Sequence, residues 1–143
     1  MNSDSDYGIE VSKYKNFVMI QFINYQKLDL YNARDLVDIF KVQNESGAED
    51  LVVDMSPIKF IDSSGLGSLA TQGIYLSKKN KKLNLISVTS AVAHLFRTSG
   101  FEKMFKIYTN MSFRYDFLSS FNLFSSRSLT VIRSSKLLNR YPI

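Results

Sequence analysis

Cysteine is absent from this 143-residue chain, so no disulfide can staple it and no thiolate can hold a metal. Histidine occurs once, at position 94 beside apolar Leu95, with no second metal ligand at useful spacing; His94 reads as a structural or surface residue rather than a general base. No apolar run approaches the roughly eighteen residues of a membrane-spanning helix. The polar, acidic opening MNSDSDYG is unlike a secretory signal, and residues 1–7 are expected to be disordered. No glycine-rich loop ends in Lys-Ser or Lys-Thr, which leaves nucleotide hydrolysis without support. The Gly-x-Ser-x-Gly nucleophile elbow fails as well, because Ile61 stands where its first glycine belongs. These absences predict a cytoplasmic protein that is not an enzyme and needs no cofactor.

Acid is missing from one region in particular. Residues 120–143 hold Arg127, Arg133, Lys136 and Arg140 and none of the 13 acidic residues, so the net charge of +5 falls to a balance of +1 over residues 1–119. A basic tail can be drawn to the phosphates of a membrane or a nucleic acid; the plainer reading is a solvated extension or a packed terminal element. No basic stripe interleaved with aromatics occurs elsewhere, so direct nucleic-acid binding is not expected. The tail lacks clear periodicity beyond Phe121 and Phe124, and is expected to be separable from the rest.

What is present is core material. At 143 residues, 45% hydrophobic with 11 Phe and 8 Tyr, the chain can bury roughly two thirds of its unfolded surface as one domain. Residues 8–25 read as two strands about a turn at Lys15–Asn16. Helical spacing of Ala33, Leu36, Val37, Phe40 and the stem of Lys41 predicts a helix over 32–47, with Asn32 as N-cap and Gly47 as stop. DLVVDM (50–55) suits a central strand, whose pairing Pro57 ends. A second helix is predicted over 64–80, with Leu66, Leu69, Ala70 and Ile74 inward and the solvated run KKNKK complementing the dipole at its C-terminal end. A strand over 82–88 and a helix over 90–99 follow, the helix carrying Val92, Leu95 and Phe96 on one face and ending at Gly100. MFKIYT (104–109) gives a last strand and residues 111–124 a last amphipathic helix. Strands alternating with helices predict an α/β fold.

One stretch raises a chemical question. FIDSSGLG, residues 60–67, runs from apolar residues through Asp62, Ser63 and Ser64 into two glycines. A serine at a helix mouth lies near unpaired N–H groups and the positive end of the dipole, where a phosphate is accommodated. That phosphate would add roughly −1.5 to −2 charges beside Asp62. Gly65 and Gly67 would let another protein approach the backbone closely. The alternative is simple capping by Asp62 or Ser63, which such residues do at many helices.

The segment LVVDMSPIKFIDSSGLGSL resembles the signature of the anti-sigma factor antagonists, the bacterial branch of the STAS domain family. Two further segments carry the resemblance: QKLDLYNARDL, matching at Leu28, Asp29, Ala33 and Leu36, and AVAHLFRTSGFEKMF before the last strand. The three occur in family order over about residues 8–119. The resemblance implies a mixed four- to five-stranded sheet with helices packed mainly on one face, spanning 8–119, with 120–143 as an extension outside the family domain. It implies that Ser63 is the residue phosphorylated by a partner kinase. Asp62, Ser64, Gly65, Leu66 and Gly67 would form the phosphosite turn and partner-binding segment, and Leu28 and Asp29 would lie on a partner surface. Gln26 and Lys27 depart from the glycine and acidic residue usual before Leu28. The function implied is partner switching: the unphosphorylated protein binds an anti-sigma factor that is also a serine kinase, phosphorylation of Ser63 releases it, and a serine phosphatase restores it. Two other roles fit a STAS domain: a docking subunit of a membrane lipid or anion transporter, and a phosphorylatable scaffold in a stress-signalling complex.

Overall fold

The computed structural model describes residues 7–47, 50–109 and 128–133. The chain opens with an antiparallel hairpin of β1 (Gly8–Lys13) and β2 (Val18–Ile23), registered Gly8↔Ile23 to Lys13↔Val18. Its turn lies where the sequence places it: the Tyr14 N–H donates to the Phe17 carbonyl at 2.9 Å, and the two rings stack with centroids 4.6 Å apart. Short β3 (Lys27–Leu28) leads into α1 (Leu30–Ser46), and then come β4 (Leu51–Asp54), short β5 (Phe60–Ile61) and α2 (Ser63–Ser77). β6 (Leu83–Ile86), α3 (Ser90–Ser99), a 3₁₀ turn at Phe101–Met104 and β7 (Phe105–Ile107) follow. β8 (Ser128–Arg133) is the last element described.

The main sheet has the order β7-β6-β4-β2-β1-β8. β2, β4, β6 and β7 are mutually parallel and β1 and β8 antiparallel to their neighbours, so the sheet is mixed. Five of its strands lie within residues 8–109, as expected. The sixth falls in the basic extension: β8 pairs with all of β1, Gly8↔Arg133 to Lys13↔Ser128. The extension thus supplies a strand to the sheet, a non-local pairing that its composition does not announce. The amphipathic helix expected over 111–124 lies outside the described residues.

Strand alternation sorts the apolar side chains to two faces. Ile9, Val11, Ile20, Val53 and Leu85 join Leu36, Ile39 and Phe40 of α1, Leu69 and Leu76 of α2, and Val92, Ala93 and Phe96 of α3 in one buried cluster. All three helices therefore pack on the same face. Phe17, Met19, Val52 and Ile86 form a smaller buried cluster from the alternate positions.

The helix boundaries show which local signals prevail. α1 begins two residues before the predicted start because Asp29, not Asn32, is the N-cap. The Asp29 carboxylate accepts the Tyr31 N–H at 3.0 Å, and the Asn32 side-chain carbonyl accepts the Asp29 N–H at 2.9 Å. Asn32 is buried and also donates to the Lys27 carbonyl at 2.8 Å, tying the first turn to β3. Gly47 ends α1 at φ 75°, and Gly100 ends α3 at φ 80°, both left-handed caps. α2 stops at Ser77, before the lysine run rather than inside it. Ile74 is exposed and Gly73 and Leu76 turn inward instead; the Lys41 side chain is likewise exposed.

Candidate functional site: the β3–β5 ribbon and the mouth of helix α2

Two segments more than thirty residues apart in sequence meet in a two-stranded parallel ribbon. β3 pairs with β5 in the register Lys27↔Phe60 and Leu28↔Ile61. The Lys59 N–H donates to the Gln26 carbonyl at 2.8 Å and the Asp62 N–H to the Leu28 carbonyl at 3.2 Å. α1 starts directly after one strand and α2 after the other, so both helix N-termini lie at the end of this ribbon. Each is capped by an aspartate, Asp29 and Asp62. Leu28 and Ile61 turn into the core, whereas Lys27 and Phe60 turn outward.

At the mouth of α2 the Asp62 carboxylate accepts the Gly65 N–H at 2.9 Å. This settles the capping role: the cap is Asp62, and Ser63 and Ser64 are the first two residues of the helix. Ser63 is exposed and Ser64 half-buried. Among the described residues neither hydroxyl has a hydrogen-bond partner, and neither backbone N–H has an acceptor. Two unpaired N–H donors at a helix N-terminus make a site that favours negative charge, with the hydroxyl of Ser63 at its open side.

The two glycines of the turn do different things. Gly65 is buried, and a Cβ there would run into the Leu28 carbonyl and stand 2.8 Å from Leu28 Cγ. Its smallness therefore serves the close approach of α2 to β3, not approach by another protein. Gly67 is exposed with nothing within 4 Å of an added Cβ, so it is the glycine that leaves open space on the outer face. Leu66 between them is half-buried against the main core.

Leu28, one of the two residues expected on a partner surface, is 0% exposed, its side chain packed into the core. Asp29 is half-buried with its carboxylate engaged in capping. The residues beside them are the ones that face solvent: Leu30 at 71%, Tyr31 at 85% and, across the ribbon, Phe60 at 53% exposure. Large apolar side chains this exposed, on both strands' sides of one ribbon, make it a candidate contact surface. The Lys27 ammonium stands over the Phe60 ring, 6.0 Å from its centroid. A signal for this patch exists in the sequence, in the adjacent pair Leu30-Tyr31, which breaks the polar face of an N-terminal helical turn.

Two titratable residues lie away from the site. His94 is exposed on α3, and among the described residues no group of three or more His, Asp or Glu is gathered to hold a metal. Asp35, which nothing in the sequence singles out, is 6% exposed on the inner side of α1. Burial foremost, then the charge of Asp38, pushes its carboxyl up from 3.8 to about 6, against a lowering influence of Arg34. No helix among the described residues is long and apolar enough to cross a membrane.

A mixed sheet covered on one face by three helices, with an exposed serine directly after the aspartate cap of the second, is the architecture of a small α/β domain. Residues 9–113 match the sequence model of the STAS domain, and the chain belongs to that family. An anti-sigma-B factor antagonist from Staphylococcus aureus is 24% identical over 81 residues, covering 57% of this chain and 75% of the relative. Among solved structures, an anti-sigma factor antagonist from Mycobacterium paratuberculosis superimposes with a TM-score of 0.65 at 21% identity, over 84% of this chain and 97% of that one. The Bacillus cell-fate determinant SpoIIAA, solved in its phosphorylated form, gives 0.59 at 15% identity, over 77% and 98%. A sulfate transporter family protein from Wolinella succinogenes gives 0.61 at 14% identity, over 74% and 87%. The fold is thus shared by antagonists and by transporter-family proteins.

Proposed function

We propose that this chain is an anti-sigma factor antagonist that works by phosphorylation-controlled partner switching at Ser63. The unphosphorylated protein binds an anti-sigma factor with serine kinase activity through the exposed surface around the β3–β5 ribbon. The kinase transfers the γ-phosphoryl group of ATP to the Ser63 hydroxyl oxygen, releasing ADP and a proton. The phosphoserine then carries charge into the interface and the complex parts. A serine phosphatase hydrolyses the ester with water, returning the hydroxyl and inorganic phosphate. The chain is substrate and ligand, not catalyst; it needs no cofactor of its own and acts in the cytoplasm without touching nucleic acid.

One observation carries this reading: Ser63 is the exposed first residue of α2, unpaired, with Asp62 occupied in capping beside it. The hydroxyl is available to a kinase, and the added phosphate meets two unpaired N–H groups, so the fold tolerates it while the surface charge changes.

The test is phosphosite mapping after incubation with the co-purified kinase and ATP. Ser63→Ala is expected to fold, resist phosphorylation and hold its partner constitutively. Ser63→Asp is expected to fold and bind more weakly by about 1–3 kcal/mol, the scale of a misplaced interface charge. Ser64→Ala should change phosphorylation far less. A phosphate on Ser64, or none on either serine while the complex still dissociates with ATP, would refute the switch.

The fold shared with the Wolinella transporter-family protein supports a second reading, a docking subunit of a membrane transporter. Co-purification with a permease in place of a soluble kinase would select it.

A further inference from the structure

The outward side of β3 is part of a hollow of about 440 Å³ whose wall includes Tyr7, Tyr25, Gln26, Lys27, Asp29 and Tyr31. We propose that this hollow is the docking pocket of the partner, and that it takes a segment in which a carboxylate lies next to an aromatic or aliphatic side chain. The inference rests on the reading above of the ribbon as the partner surface, and names the chemistry that surface selects.

Shape and lining come first. The hollow is open along one side rather than enclosed, so it would leave much of a small metabolite in water, whereas a side chain presented from another protein surface would fill it. Tyr7 and Tyr25 pack against each other with ring centroids 5.3 Å apart, forming one wall. Tyr31 also lines the hollow and is the most exposed large side chain at the site, with Leu30 beside it. Tyrosines give large contact area at small cost in side-chain entropy and can bond through their hydroxyls, which is why they are enriched where proteins meet.

Electrostatics then decides the sign of the partner. The one acid in the wall, Asp29, is committed to the N-terminus of α1, where the helix dipole offsets its charge. Lys27 has no ion-pair partner among the described residues; its ammonium faces only the Phe60 ring. Lys59 is exposed on the neighbouring segment, one backbone bond from Gln26. The other acid at the ribbon, Asp62, is likewise committed to the N-terminus of α2, so the two helix N-termini and their two aspartates offset one another and the exposed lysines Lys27 and Lys59 set the sign: the surface is complementary to acid.

The arrangement also couples docking to Ser63. Phe60, which pairs with Lys27, lies three residues before Ser63 on the same strand-to-helix run. A phosphate on Ser63 would add roughly −1.5 to −2 charges at the end of the ribbon that carries Lys27. It would occupy the positive field that the partner's carboxylate needs.

The experiment uses the full chain, isotope-labelled, titrated with synthetic peptides and followed by amide chemical shifts. The probes are an eight-residue peptide containing Glu-Phe-Asp-Leu, its counterpart with lysine at both acidic positions, and its counterpart with alanine at both apolar positions. The acidic-apolar peptide is expected to shift the amides of residues 24–31 and 60–63 and to bind at least about fivefold more tightly than either counterpart. Lys27→Glu should remove that preference and turn it toward the basic peptide, and Tyr31→Ala should weaken all binding. Shifts located elsewhere, equal binding of the acidic and basic peptides, or no binding by any of the three would overturn the proposal. Ser63→Asp separates the two readings. If the acidic peptide binds wild type and Ser63→Asp equally, docking stands and the phosphoserine switch falls. If no peptide binds but kinase treatment still phosphorylates Ser63 and parts the native complex, the switch stands and the pocket assignment falls.

Discussion

Replacing Asp35 by asparagine isolates a cost that the fold imposes on helix α1. The Asp35 side chain is 6% exposed, and its second carboxylate oxygen has no hydrogen-bond partner among the described residues. Burial foremost, then the charge of Asp38, raises its carboxyl from 3.8 to about 6, a penalty on the charged form of about 1–3 kcal/mol. Because the folded form binds the proton more tightly, the sign is fixed. Below about pH 4 the group is protonated in both states and costs nothing. Between about pH 4 and 6 the unfolded chain releases its proton first and stability falls as pH rises, and above about pH 6 the full penalty is present. The asparagine side chain cannot ionise and keeps the shape, but leaves a buried amide short of a partner at about 1–3 kcal/mol. Asp35→Asn should therefore be less stable than wild type near pH 4 and gain on it as pH rises to 7.5, the difference swinging by about 1–3 kcal/mol. Urea unfolding at half-unit steps of pH, with the two curves subtracted, reads this directly and cancels the other carboxylates. A difference flat across pH 4–7.5, or one that moves against the variant as pH rises, would refute the assignment of a buried, high-pKa Asp35.

Further expectations concern the site and the sheet. Gly65→Ala drives a Cβ into the Leu28 backbone and should lower stability by about 1–3 kcal/mol or more, read as a reduced unfolding midpoint. Gly67→Ala meets nothing and should stabilise the helix by up to about 1 kcal/mol, with any loss of partner affinity reporting crowding at the outer face. Asp62→Ala removes the α2 cap at a cost of about 1 kcal/mol, measurable by thermal melt, and should leave Ser63 a poorer kinase substrate. Ending the chain after Ser119 removes β8 and exposes the edge of β1 along six residue pairs; a lower melting temperature and higher-order species on size exclusion are expected. An unchanged monomeric melt would instead show that the extension is dispensable.

What could be read from the chain alone was whatever depends on neighbours in sequence. The left-handed stops at Gly47 and Gly100, the hairpin turn at Lys15–Asn16, the apolar runs of β4 and β6 and the three core-facing helical stripes are all local. Turn chemistry and period specify them before any tertiary contact forms. The serine at the mouth of α2 was legible for the same reason, since Asp-Ser-Ser-Gly after an apolar pair is a helix entry by composition. Even the shifted start of α1 was a choice between two capping residues, Asp29 and Asn32, that belong to the same turn.

What only the tertiary structure decided was who meets whom. No periodicity says that Lys27 and Leu28 pair with Phe60 and Ile61, and without that ribbon Leu30, Tyr31, Phe60 and Ser63 are four unrelated residues rather than one surface. The same pairing consigns Leu28 to the core and assigns Gly65 to packing, because a parallel register brings the Leu28 carbonyl against the first turn of α2. Asp35 and the strand at Ser128–Arg133 were invisible for one physical reason. An aspartate in a helix and a short β-branched run in a basic tail look solvated until a distant element covers or pairs with them. Local preference selects the elements, and desolvation and pairing across the chain select their roles.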